Sequence, residues 1–273
     1  MRTIVITGAS DGIGAAAARR LHADGHRVVV VGRTPEKTRG LAGDLGVEHH
    51  SADFARLDDV RALAATLAER HERIDVLANN AGGLFGERTL TVDGFEKTLQ
   101  VNHLAPFLLT ALLMDTLLAS GATVVNTSSV AAKAFARLDL DDLGNERAYH
   151  PRRAYGDSKL ANILHARELQ RRFGPRGLNA ASFHPGGVAT NFANDTTSRM
   201  RFAYHTPLRR FLITPEQGAE TLVWLAGSVP GRDWPPGEYF EKKRVARTNP
   251  RASDEVLARE LWERSAAMVG LPS

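Results

Sequence analysis

The sequence predicts an α/β fold, a doubly wound parallel sheet with helices on both faces. Three observations carry that expectation. Short β-branched, apolar runs alternate with stretches of helical periodicity along the chain. The first run, residues 3–7, leads straight into a glycine-rich turn and an alanine-rich helix, the order of a strand–loop–helix unit. No repeat, linker or low-complexity block interrupts the 273 residues, so residues 1–273 are expected to form a single domain.

Composition narrows the function classes. A hydrophobic content of 43% and a charged content of 24% suit a soluble globular protein. No apolar run reaches the length of a membrane span, and the N-terminus enters strand-like sequence without signal-peptide architecture. A cytoplasmic protein with no membrane anchor is therefore expected. The absence of cysteine excludes disulfides and thiolate metal sites, and no metal is expected. The net charge of +4 comes from scattered arginines, which argues against nucleic acid and is compatible with anionic ligands.

Residues 3–7 read as a buried parallel strand. Thr7-Gly8-Ala9-Ser10-Asp11-Gly12-Ile13-Gly14 follows, opening a helix that runs to about residue 24. Glycines permit a tight turn and close backbone approach to a pyrophosphate, and the helix start supplies N–H groups. The spacing is Gly-x-x-x-Gly-x-Gly rather than Gly-x-Gly-x-x-Gly, so an ordinary strand-to-helix turn is the competing reading. Residues 27–31 form the second strand, ending Gly32-Arg33-Thr34. Arg33 stands where an acid would hold a ribose 2′-hydroxyl. A guanidinium there suits a 2′-phosphate, which favours NADP(H), with NAD(H) possible; a surface arginine is the alternative.

Residues 46–52 are a third strand closing at Asp53, which either accepts from an adenine amino group or caps the helix beginning near Leu57. That helix runs over 57–70, and 74–78 is the fourth strand. Asn79-Asn80-Ala81-Gly82-Gly83 then lies where open sheets bind ligands. Residues 94–120 read as one long helix, with Asn102 as a polar intruder and Pro106 predicting a kink or a locally opened turn. Residues 122–127 are the fifth strand, ending Ser128-Ser129, where a hydroxyl can bond a substrate oxygen or simply serve a turn.

Residues 131–153 read as a long, polar, irregular stretch, of the kind that is functional or mobile. The following helix, to about residue 173, places Tyr155 and Lys159 one turn apart on one face. An ammonium beside a phenol favours the phenolate, and such a tyrosine can move a proton. The bland reading is an amphipathic helix with a solvated lysine. Residues 178–183 are the sixth strand, ending His184-Pro185-Gly186-Gly187. Residues 188–213 suit a substrate lid over a lipophilic pocket, or a plain helix pair. A helix over 215–226, a short strand over 238–240 and a terminal helix over 253–268 capped by Ser253 complete the chain.

Together TGASDGIG, Asp53, NNAG, Asn102, Ser129, Tyr155-x-x-x-Lys159 and Pro185-Gly186, in this order, resemble the short-chain dehydrogenase/reductase family. The run Tyr-Gly-Asp-Ser-Lys-Leu-Ala-Asn and the long Ser129–Tyr155 interval resemble its retinol-dehydrogenase-like branch. The resemblance implies a Rossmann-like fold and an NAD(P)(H)-dependent oxidoreductase interconverting a carbonyl and an alcohol on a lipophilic small molecule. It implies that Ser129 polarises the carbonyl, Tyr155 donates the proton, Lys159 binds the nicotinamide ribose and lowers the tyrosine pKa, and Asn102 supports a water relay. Cofactor contacts are implied for Gly8, Ser10, Asp11, Gly12, Ile13, Gly14, Arg33, Asp53, Phe54, Asn80, Ala81, Gly82, Tyr155, Lys159, Pro185, Gly186, Val188 and Thr190, with a homo-oligomer possible. Many NADP-dependent members carry a basic residue where this chain has Asp11, which leaves Arg33 to hold a 2′-phosphate largely unaided. A catalytically silent NADP(H) sensor and a same-fold isomerase or dehalogenase are the alternative functions.

Overall fold

A computed structural model describes residues 1–187 and 213–272. Its strands form one sheet in the order β3-β2-β1-β4-β5-β6-β7-β8. They are β1 (Thr3–Thr7), β2 (Arg27–Gly32), β3 (Glu48–Ser51), β4 (Val76–Asn79), β5 (Thr123–Thr127), β6 (Asn179–His184), β7 (Tyr239–Glu241) and β8 (Arg244–Val245). Every neighbouring pair is parallel except β7 and β8. That antiparallel edge hairpin is a feature the strand–helix alternation does not announce. Lys242 and Lys243 turn it at positive φ.

The strand period of two sorts the core into two layers. Ile4, Ile6, Val28, Val30, Val76 and Ala78 face one cluster, with α1 (Gly12–Ala23), α2 (Pro35–Leu45) and α9 (Pro215–Gly227). Val5, Val29, Val31, Leu77 and Val124 face the other, with α3 (Leu57–Arg70), α5 (Ala105–Leu112), α8 (Pro151–Phe173) and α10 (Glu255–Met268). Both faces of the sheet are thus covered, as its near-continuous apolar strands require. Among the described residues no helix is long and apolar enough to cross a membrane.

Three expectations need correction. The helix expected over 94–120 is broken into α4 (Lys97–Leu99), a π-helical turn (Gln100–Leu104), α5 and α6 (Met114–Ala119). Pro106 has no N–H to give the carbonyl four residues back, and just before it Ala105 reaches back five residues to Gln100 O. The locally opened turn expected at Pro106 is therefore present. The terminal helix is capped by Asp254, whose side chain accepts from Leu257 N, and not by Ser253, whose Oγ bonds Arg167 at 2.8 Å instead. The 131–153 stretch carries a short helix α7 (Ala131–Ala134) and a 3-10 turn (Leu140–Asp142). The buried Asp157 carboxylate pins it, accepting from Arg137 N at 2.6 Å and Leu138 N at 2.7 Å.

Candidate active site

Strand order reverses between β1 and β4, and that switch point opens a crevice at the carboxyl ends of the strands. Thr7 and Asn80 stitch its floor. Thr7 Oγ1 accepts the N–H groups of Asn80 and Ala81, both at 3.0 Å. Asn80 Nδ2 donates to Thr7 O at 3.0 Å and its Oδ1 accepts from Thr127 Oγ1 at 3.3 Å, joining β1, β4 and β5. A cavity of about 530 Å³ lies above it.

Most of the expected residues meet in that one cavity. Gly8, Ser10, Asp11, Gly12, Ile13, Gly14, Arg33, Asp53, Phe54, Asn80, Ala81, Gly82, Ser129, Tyr155, Lys159, Pro185 and Gly186 line it. Asn102 does not. It is fully buried behind the fourth-strand loop, its side chain exchanging hydrogen bonds with Gly83 N (2.8 Å) and Gly83 O (3.0 Å) and reaching Ser158 Oγ at 3.0 Å. Val188, Thr190 and the expected lid, but for Ile213, lie outside the described residues.

The glycine loop is shaped for close approach. A Cβ on Gly14 would lie 2.3 Å from Gly8 O and 2.7 Å from Asn80 Nδ2, so only bare backbone fits where α1 begins. Asp11 caps α1, accepting from Gly12 N at 2.7 Å. Its other oxygen lies 3.5 Å from Lys37 Nζ, and Lys37 lines the same cavity as Arg33. Lys37, from the first turn of α2, is thus a second cation beside Arg33 at this end of the cavity. Four-residue spacing from Arg33 across a strand–helix junction was the available signal. A nucleotide cofactor fits these residues in backbone shape and charge.

The capping reading of Asp53 does not hold. Asp93 Oδ2, not Asp53, accepts from Leu57 N at the start of α3, at 2.9 Å. Asp53 instead accepts from Ala55 N at 3.0 Å and faces the cavity. The adjacent serines also part company. Ser128 is buried and donates to Lys159 O at 2.7 Å, a bond between β5 and α8. Ser129 is half-buried, lines the cavity and accepts from Ala131 N at 3.2 Å.

Lys159 is 1% exposed, its Nζ 3.1 Å from Thr127 O and 5.6 Å from the centroid of the Tyr155 ring. Burial pulls its amine pKa down to about 7, because charge is costly away from water. Gly156 sets how closely the segment after Ser129 approaches α8. A Cβ there would lie 2.8 Å from Ala136 N and 2.9 Å from Ala131 O, so α7, which follows Ser129, lies backbone-to-backbone on α8 beside Tyr155. Gly156 and Asp157 belong to the Tyr-Gly-Asp-Ser-Lys run, but their roles could not be read from it, because their partners are twenty or so residues away.

Known proteins align with this arrangement. The family described as short chain dehydrogenase matches residues 2–201. A protein of Streptomyces sp. (strain C5), named as a daunorubicin C-13 ketoreductase, is 44% identical over 98% of this chain and 93% of its own. Human retinol dehydrogenase 13 is 38% identical over 99% of this chain and 85% of its own. A solved structure of a Mycobacterium paratuberculosis protein superposes with a TM-score of 0.81, at 33% identity, over 99% of this chain and 94% of that one. The chain is therefore an oxidoreductase of the short-chain dehydrogenase/reductase family, within its retinol-dehydrogenase-like branch.

Proposed function

We propose that this oxidoreductase is NADP-preferring and interconverts a carbonyl and an alcohol on a small molecule with Ser129, Tyr155 and Lys159 as its catalytic set. The observation that carries the reading is their convergence in one cavity with the glycine loop and the Arg33–Lys37 cations. When bound, the nicotinamide cofactor supplies or removes the hydride. Gly8, Gly12 and Gly14 present backbone to the pyrophosphate, and Arg33 with Lys37 receives the 2′-phosphate. Ser129 donates a hydrogen bond to the substrate oxygen, where charge develops during reduction. Tyr155 gives that oxygen its proton. Lys159, poised near neutrality by burial, exchanges a proton readily beside the tyrosine ring. Asn102 acts at one remove, clamping the Gly83 loop to α8 through Ser158, whose Oγ donates to Tyr155 O at 2.8 Å. A silent sensor has no need of all three catalytic side chains.

The test is NADPH and NADH oxidation on a panel of aryl ketones and aldehydes. NADPH-favoured turnover that Tyr155→Phe abolishes supports the reading. Turnover that survives Tyr155→Phe removes the tyrosine, and an NADH preference removes the cofactor assignment.

A further inference from the structure

Resting on the reductase reading of the cavity, we propose that the substrate it takes bears a carboxylate on an apolar, ring-sized body, recognised by Arg152 and Lys97. Arg152 stands one turn before Tyr155 on α8, so both side chains share a face and both line the cavity. Its guanidinium carbon is 5.7 Å from the centroid of Phe135, which belongs to the segment following Ser129. Phe135 is 42% exposed and Val130 55%, an apolar rim left uncovered beside the serine and tyrosine. Lys97 lines the cavity from the opposite stretch of sequence, its Nζ 4.6 Å over the buried ring of Phe85. That ring belongs to the loop of Gly82, where a Cβ would lie 3.3 Å from Lys159 Nζ.

Charge bookkeeping at the two ends of the cavity differs. The described acids that line it are Asp11 and Asp53, both on the nucleotide side, after β1 and β3. Asp11 lies within ion-pair distance of Lys37 there. Lys97 and Arg152 form no ion pair with a carboxylate among the described residues; each lies over an aromatic face instead. A cation on a ring still has donors to offer, and the planar guanidinium matches a carboxylate in two parallel hydrogen bonds. Rings and rim supply the apolar contact for the rest of such a molecule.

The experiment compares 4-benzoylbutyric acid with its methyl ester, the same ketone with and without the charge. Wild type should reduce the acid with a kcat/KM about ten- to a hundredfold higher, the worth of a charge-assisted hydrogen bond. Arg152→Gln and Lys97→Gln should each draw the acid-to-ester ratio towards one, and Arg152→Lys should keep part of it. An ester reduced as well as the acid, or a ratio that neither substitution moves, overturns the proposal. A binding arm stands apart from turnover. By calorimetry on the NADP⁺-loaded protein, 4-phenylbutyrate should bind about tenfold or more tightly than 4-phenylbutanamide, and Arg152→Gln should erase the difference. Equal binding overturns carboxylate recognition, whereas carboxylate-selective binding without reduction of either ketone upholds it and counts against the reductase reading alone.

Discussion

Replacing Gly156 by alanine probes the close contact between α7, which follows Ser129, and α8, which carries Tyr155. Helix propensity alone favours the substitution by about 1 kcal/mol, since Gly156 lies inside the 23-residue α8. The added Cβ would meet Ala136 N at 2.8 Å, Ala131 O at 2.9 Å and the Phe135 carbonyl carbon at 3.0 Å. All three are backbone atoms, so no side chain can swing aside. Ordinary contact needs about 3.5 Å or more, so α7 must move by roughly 0.5 Å or more. Overpacking of this kind costs about 1–3 kcal/mol, which leaves a net loss of about 0–2 kcal/mol and a fall in Tm of up to roughly 8 °C. Catalysis should suffer more, because α7 carries the serine with it; a misplacement approaching 1 Å costs about a hundredfold. The assay is steady-state kcat on an accepted ketone, alongside Tm and NADPH affinity. A fall in kcat of about tenfold or more with cofactor affinity retained is expected. A variant with unchanged kcat and a raised Tm would refute the claim that this contact positions the site.

Tyr155→Phe should lower kcat by about 10²–10⁴ with NADPH binding intact, because only the proton donor is removed; stopped-flow reduction and cofactor titration check both. Arg33→Asp should shift the NADPH-to-NADH kcat/KM ratio by about ten- to a hundredfold, with Lys37→Gln moving it in the same direction; an unmoved ratio in both variants removes this pair from cofactor choice. Acid should destabilise the fold through His103, whose pKa burial lowers from 6.5 to about 4 and whose ring packs 6.1 Å from that of His165, also buried. The unfolded chain takes up the proton first, so stability falls as pH drops below 6.5 and the loss is complete near 4. By pH 5 the His103 share amounts to about 2 kcal/mol, and His103→Gln should make the denaturation midpoint fall less steeply across that window, with the share from buried His165 remaining.

Local chemistry made much of this molecule readable. The β-branched runs, the glycine turn opening α1 and the Tyr155–Lys159 spacing are short-range patterns, and each lies where its period or spacing places it. The opened turn near Pro106 was equally legible, since a missing N–H acts within one turn. What depends on distant partners was not. Nothing in sequence tells whether Asp53 or Asp93 caps α3, because Asp93 arrives from 36 residues away. Ser128 and Ser129 have the same side chain; the family resemblance singles out Ser129, but only α8 packing against the end of β5 shows why, turning Ser128 into a structural bond and leaving Ser129 facing the cavity. Asp157 and Gly156 stand in the motif run, but what they do there is unreadable until residues 131–138 fold back onto them. Sequence by itself therefore determined the order of elements and the identity of the reactive side chains, through interactions spanning a turn or a pleat. Only the tertiary structure decided which polar groups are consumed by buried hydrogen bonds, because a buried donor or acceptor must be satisfied by whatever the fold brings beside it.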